Sequence, residues 1–289
     1  MQIKTLLFES IKAWIDHRAS SKGAALAFYT LFSMTPILLL AISIAGYFFG
    51  VQAAQGEIIG QIQGLVGPNG AQAVQALLAA ARNPLSGLVA TLIATVLLLI
   101  GATSVFAELK GSLDEMWGVT QSGHSAFLSL LKIRFLSFGL VLVLAFLLLI
   151  SLVISAALAL LEQYVGNYWR DSLVLLSAVS QLISFGVIAS LFAVIYKMLP
   201  DAPLSWRDVW IGAVFTAALF SLGKYAIGLY LGNSGVASGF GAAGSLIALL
   251  LWVYYSAQIF FFGAEFTRQY ALRYGSLQSQ RERALRQTR

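Results

Sequence analysis

The chain has 289 residues, of which 59% are hydrophobic and only 10% charged, with a net charge of +6. A soluble domain is about 25% charged, and a globule with so little polar surface would expose aggregating apolar patches. The composition therefore excludes a water-soluble particle, and the absence of cysteine excludes disulfides and thiolate metal sites.

Residues 1–23 predict a cytoplasmic amphipathic helix. Ile3, Leu7, Ile11, Trp14 and Ile15 recur at helical spacing, with Lys4, Lys12 and Asp16 off that stripe. Such a helix rests in the headgroup layer or packs on the protein's own cytoplasmic face. The segment lacks the uninterrupted apolar stretch of a signal peptide.

A bilayer core about 30 Å thick takes about 20 apolar residues in a helix. Six stretches of the next segment, 24–270, qualify: about 24–49, 85–107, 135–161, 173–198, 209–231 and 244–266. Their apolar runs are continuous rather than alternating, which speaks against a β-barrel. The fold class expected is all-α, an integral membrane protein of six transmembrane helices. Between the first two spans, Ile58, Ile62 and Leu65 form one stripe and Val74, Leu77, Leu78 and Ala81 another, separated by Gly67-Pro68-Asn69-Gly70. This predicts an extracytoplasmic helical hairpin, capping the bundle or lying in the interface. Leu109, Leu113, Met116 and Trp117 form a further amphipathic stripe after span two. Tyr164, Tyr168 and Trp169 mark an interfacial loop. Residues 232–243 are Gly-, Ala- and Ser-rich, read as a flexible gate or as backbone dipping into the interior. Residues 271–289 form a basic cytoplasmic tail that anionic lipid would attract.

Lysine and arginine set the orientation. Lys4, Lys12, Arg18 and Lys22 precede span one. Lys110, Lys132 and Arg134 lie between spans two and three, Lys197 and Arg207 between four and five, and Arg268, Arg273, Arg281, Arg283, Arg286 and Arg289 follow span six. The opposite side holds Arg82 and Arg170. Both termini are expected in the cytoplasm, and the basic surplus is read as a topology signal rather than a nucleic-acid surface. The two halves of the chain then have opposite topology, as an inverted repeat would.

Four segments carry a resemblance: KGAALAFYTLFSMTPILLL (22–40), ELKGSLDEMWGV (108–119), LPDAPLSWRDVWIGAVFTAALFSLGKYAIGLYL (199–231) and ASGFGAAGSLIALLLWVYYSAQIFFFGAEFTRQY (237–270). They resemble the YihY/virulence factor BrkB family, over nearly the whole chain. A small departure is Phe240-Gly241, where the family often has Tyr-Gly. The resemblance implies a six-helix bacterial inner-membrane protein. It implies no settled activity: the family has carried a ribonuclease label, a virulence label and suggestions of transport.

The residues themselves disfavour a nuclease. Metal-dependent phosphodiesterases cluster His, Asp or Glu around cations, whereas the two histidines, His17 and His124, lie far apart in polar segments. GFGAAGS (239–245) has glycines but no strand–helix setting and no following Lys-Ser/Thr. No catalytic residue, metal or cofactor is expected.

Ionisable groups inside spans are costly and informative. Lys224 sits in span five, roughly 10 Å below its outer end at about 1.5 Å per residue. It either snorkels outward or serves as the charge of a polar cavity. Gln181 of span four has a similar depth, and Ser43, Thr91, Thr95, Ser151 and Ser155 fall toward the same outer half. The substrate-binding set expected is Lys224, Gln181 and Ser155, although serines and threonines also bond back to their own helices. Near the inner surface, Glu265, Arg134, Glu108 and Gln258 gather, with Glu265 expected to pair with Arg134 or Arg268. That set is an ion pair anchoring helix ends, or a proton or cation gate. Pro36, counted with Glu265, Arg134 and Glu108 in that gating set, frees the carbonyl of Phe32 and predicts a kink in span one, either a fixed bend or a moving hinge. Gly223/Gly228 and Gly241/Gly244 predict close helix packing.

These features point to a transporter or flippase of an anionic amphiphile, such as a lipid or lipid-linked group, driven by an ion gradient or by the substrate's own. The alternatives are a non-catalytic envelope scaffold and, disfavoured, a ribonuclease. Expected partners are membrane lipids, anionic ones included, and no nucleic acid; a homo-oligomer stays open.

Overall fold

The computed structural model describes residues 2–81, 104–119, 172–233 and 243–278, and among them every extended regular element is a helix, with no strand. In chain order they are α1 (Gln2–Asp16), α2 (Ala19–Phe49), α3 (Val51–Ala81), α4 (104–116), α5 (Ser172–Met198), α6 (Trp206–Asn233) and α7 (Gly244–Tyr274). Ala178–Met198, Trp206–Tyr230 and Gly244–Tyr274 are long and apolar enough to cross a membrane. They coincide with the expected spans four to six. Expected span three, and all of span two but 104–107, lie outside the described residues.

Local chemistry sets the breaks. Arg18 is left-handed (φ 50, ψ 42) and separates α1 from α2, so the amphipathic helix ends at Asp16 and the next begins at Ala19, earlier than the expected boundary. Gly50, also at positive φ (85), ends α2. Within α3, Gly67 has a non-helical backbone (φ 77, ψ 176), available to a residue without Cβ. Pro68 follows where a helix start tolerates its missing N–H. α4 closes in a Schellman motif: Val119 N–H donates to Asp114 O at 2.8 Å and Gly118 N–H to Glu115 O at 3.1 Å, with Gly118 at φ 68. α7 runs on to Tyr274, beyond the expected end at 266, because no breaker occurs before Gly275.

The chain forms two compact units. The first comprises residues 1–13, 113–221 and 262–289. Its core is aromatic. Tyr196 is fully buried, stacked on Phe192 and edge-on to Trp117, at 6.1 Å in both cases. The α5–α6 loop is latched: Asp114 accepts the Asp201 N–H at 3.0 Å, and Lys197 donates to the Leu204 carbonyl while its ammonium lies 6.0 Å from the Trp206 ring.

The second unit comprises residues 14–112 and 222–261. Its core joins Ile42 of α2, Ile59, Ala71, Ala73, Val74 and Leu78 of α3, and Leu249 of α7. Both stripes read from the α3 sequence contribute, with Ile58 and Ile62 packed at the margin. Gly23 gives Gln258 room to approach, and Gln258 donates to the Ser20 carbonyl at 3.4 Å. α2 continues as one helix through Pro36. Ser33 bonds back to the carbonyl of Tyr29 at 2.8 Å, and Ser43 to that of Leu39 at 2.7 Å. These serines satisfy themselves on their own helix, as the simpler expectation had it.

Candidate functional site

Lys224 stands on α6 in the second unit, half-buried, with Nζ 5.3 Å from the ring centroid of Tyr225. Two glycines shape its surroundings. A Cβ at Gly223 would meet Ile259 at 2.6 Å and the Tyr255 ring and hydroxyl at 3.0 Å, so α7 passes closely there. A Cβ at Gly228, one turn beyond Lys224, would meet nothing within 4 Å. Lys224 thus stands between a glycine at a tight helix contact and a glycine that faces open space. Leu222, Tyr225 and Leu229 around it are 65–70% exposed. This combines a cation, open space and an apolar flank, which suits a molecule with an anionic head and an apolar body.

The other expected members are placed as follows. Gln181 lies exposed on α5 in the first unit. Ser155 and Arg134 lie outside the described residues, as do Thr91, Thr95 and Ser151. Glu108 accepts a 3.4 Å hydrogen bond from Ser112, one turn along α4. Glu265 is fully buried on α7. The guanidinium of Arg268 lies against Gly118, 3.5 Å from where a Cβ would stand. The predicted stripe Leu109, Leu113, Met116 and Trp117 is buried, and Trp117 donates its indole N–H to the Ala264 carbonyl at 3.2 Å.

Glu265 belongs to an arrangement that the sequence reading missed. Residues 212–216 read Gly-Ala-Val-Phe-Thr and residues 263–267 read Gly-Ala-Glu-Phe-Thr. In the first unit the two pentapeptides pack antiparallel and reciprocally. Thr267 covers Gly212, and Thr216 covers Gly263. Each threonine also donates to the carbonyl of the glycine in its own pentapeptide at 2.7 Å. Ala213 and Ala264 are fully buried, and Tyr196 Oη bonds Thr216 Oγ1 at 3.2 Å. The repeat departs from itself at its third position, where Val214 is 45% exposed and Glu265 is 0% exposed. The recurring five-residue string was the available signal.

Below this clasp the end of α7 meets the start of α6. Asp208 N–H donates to Ser205 Oγ at 3.2 Å, a helix cap. The Asp208 carboxylate accepts the Ser276 N–H at 2.8 Å, and Ser276 Oγ accepts the Ser205 N–H at 3.2 Å. Beside them a cavity of about 320 Å³ is lined by Ser205, Arg207, Asp208, Tyr270, Tyr274, Gly275 and Ser276. Among the described residues no group of three His, Cys, Asp or Glu side chains is placed to hold a metal ion.

The family model described as virulence factor BrkB matches residues 10–288. Similar curated proteins are named UPF0761 membrane protein. One from Verminephrobacter eiseniae is 29% identical over 85% of this chain and 57% of its own length. One from Pseudomonas aeruginosa is 25% identical over 87% and 59%, and one from Teredinibacter turnerae 27% identical over 93% and 60%. The chain thus spans less than two thirds of the length of these relatives. No solved structure matches it. With a match over nearly its full extent and apolar helices of membrane-crossing length, the chain is a multi-pass membrane protein that belongs to the BrkB virulence-factor family.

Proposed function

We propose that this protein moves an anionic amphiphile, a lipid or a lipid-linked group, across the bacterial inner membrane, and that Lys224 receives the anionic head. The observation that carries this reading is the setting of Lys224: a half-buried lysine on an apolar helix, one turn from the open space at Gly228 and beside the exposed Leu222, Tyr225 and Leu229. A charge in such a helix is costly, and an anionic head would offset that cost while its chains lie along the apolar flank. The chain acts as a carrier and makes or breaks no covalent bond. The sequence has no ATP-binding motif, so the driving force is an ion gradient or the substrate's own. Glu265, buried where the two pentapeptides differ, is the group we assign to an inner ion pair or gate. The same reading takes both termini as cytoplasmic, and the basic residues flanking the expected spans support it.

The test is transbilayer movement of a head-labelled anionic phospholipid in proteoliposomes. Lys224→Ala and Lys224→Met are expected to slow it at least tenfold, and Lys224→Arg to preserve most of it. Unchanged movement in the two neutral variants would remove the assignment.

A further inference from the structure

Helix α1 carries apolar side chains on two opposed faces. Leu6 is 4% exposed and Ser10 fully buried on one face, whereas Phe8 is 68%, Ile11 47% and Ile15 60% exposed on the other. At about 3.6 residues per turn, positions 4, 8, 11 and 15 share one stripe. The exposed Lys4 therefore stands in line with the three apolar residues, and the exposed Lys12 stands at their edge. Of the acidic residues on α1, Glu9 is engaged by Arg273 at 3.3 Å, and the exposed Asp16 lies one turn past Lys12, off the stripe. The outward face is thus apolar and basic.

Its location is constrained by the chain. Two residues, His17 and Arg18, separate α1 from α2. Arg18 turns sharply in the left-handed conformation, with its N–H on the Ile15 carbonyl at 3.0 Å. The end of the stripe is therefore held at the mouth of α2, where that helix begins its apolar run.

We propose that α1 lies in the headgroup layer of the bilayer that α2 enters. Phe8, Ile11 and Ile15 sit at the acyl boundary, and Lys4 and Lys12 contact anionic phospholipid headgroups. The inner face, through Leu6, Ser10 and the Glu9–Arg273 pair, fixes the helix to the protein while the outer face is left for lipid. Amphipathic helices with lysine beside an apolar stripe bind such interfaces through buried area and charge together.

The chain has no cysteine, so a single introduced thiol is unique. Phe8→Cys, Ile11→Cys and the control Asp16→Cys, exposed and off the stripe, are spin-labelled in the whole chain. The proteins are reconstituted into vesicles of phosphatidylcholine alone or of phosphatidylcholine with phosphatidylglycerol. Collision with oxygen and with a water-soluble nickel chelate is then measured. In phosphatidylglycerol vesicles the labels at 8 and 11 are expected to shift toward oxygen and lose nickel access, while the label at 16 stays accessible to nickel. Adding Lys4→Glu to Phe8→Cys is expected to reverse part of that shift. Water-like access at 8 and 11 in both vesicles would overturn the proposal. So would label–label coupling that vanishes on dilution with unlabelled protein, which would show a second copy on this face. None of these readouts depends on lipid transport.

Discussion

Phe215 of α6 and Phe266 of α7 stack with ring centroids 3.8 Å apart and planes 18° from parallel. The two residues hold the same position in their pentapeptides, so the stack lies at the centre of a local two-fold relation between antiparallel helices. Its flanks are glycines on which the opposing threonines rest. Without a hydrophobic driving force between helices in lipid, close approach of this kind is what holds them together.

The clasp predicts an asymmetric response to added methyl groups. Gly212→Ala and Gly263→Ala are expected to destabilise the protein by about 1–3 kcal/mol through overpacking. Gly228→Ala, which meets nothing, should be neutral or stabilising by up to about 1 kcal/mol. Thermal unfolding in detergent checks this, and truncating Thr216 to Ser should restore little of the loss at Gly263, because the hydroxyl itself is in the way.

Asp208 joins the start of α6 to the segment after α7. Asp208→Ala leaves the Ser276 N–H without its acceptor and should cost about 1–3 kcal/mol. Asp208→Asn keeps an acceptor and should cost less. Hydrogen exchange at the Ser276 amide should accelerate in the alanine variant and change little in the asparagine one.

Trp117 anchors α4 to α7 through the Ala264 carbonyl within a buried aromatic group. Trp117→Phe keeps most of the ring packing and removes the donor, and should cost about 0.5–1.5 kcal/mol. Trp117→Ala adds a cavity and should cost about 3–5 kcal/mol. Equal effects of the two substitutions on the unfolding temperature would contradict this division.

The Glu9–Arg273 pair is partly exposed, at 36% and 25%. A double-mutant cycle should give a coupling below about 1 kcal/mol, weakened by salt. A larger, salt-insensitive coupling would mean that the pair is more enclosed than its geometry indicates.

Reporter fusions after residue 289 are expected to read as cytoplasmic, because the final span is followed by a run of arginines. A periplasmic readout would reverse the proposed topology.

Much of the architecture was legible because hydrocarbon imposes a length and a composition on any helix that crosses it. The helices near the expected spans four to six match for that reason, and the break at Gly67 was visible as a Gly-Pro step. The amphipathic stripe of α4 was legible by period alone. The α1 stripe was only half legible: Ile11 and Ile15 were marked, whereas Phe8 emerged as outward-facing only once Leu6 and Ser10 were seen packed inward. Lys224 was found from the cost of its charge, yet the close passage of Tyr255 at the neighbouring Gly223 comes from a residue that no local pattern links to it.

What the amino-acid order determined unaided was the solvent, the helical class and the break at Gly67-Pro68, since each follows from composition or from a few consecutive residues. What only the tertiary structure decided was which side chains meet. Gly212 and Thr267 are 55 residues apart, and their contact depends on how two helices cross. The burial of Glu265 and the exposure of its counterpart Val214 follow from the same crossing, because burial belongs to the packed assembly and not to a residue's neighbours in sequence.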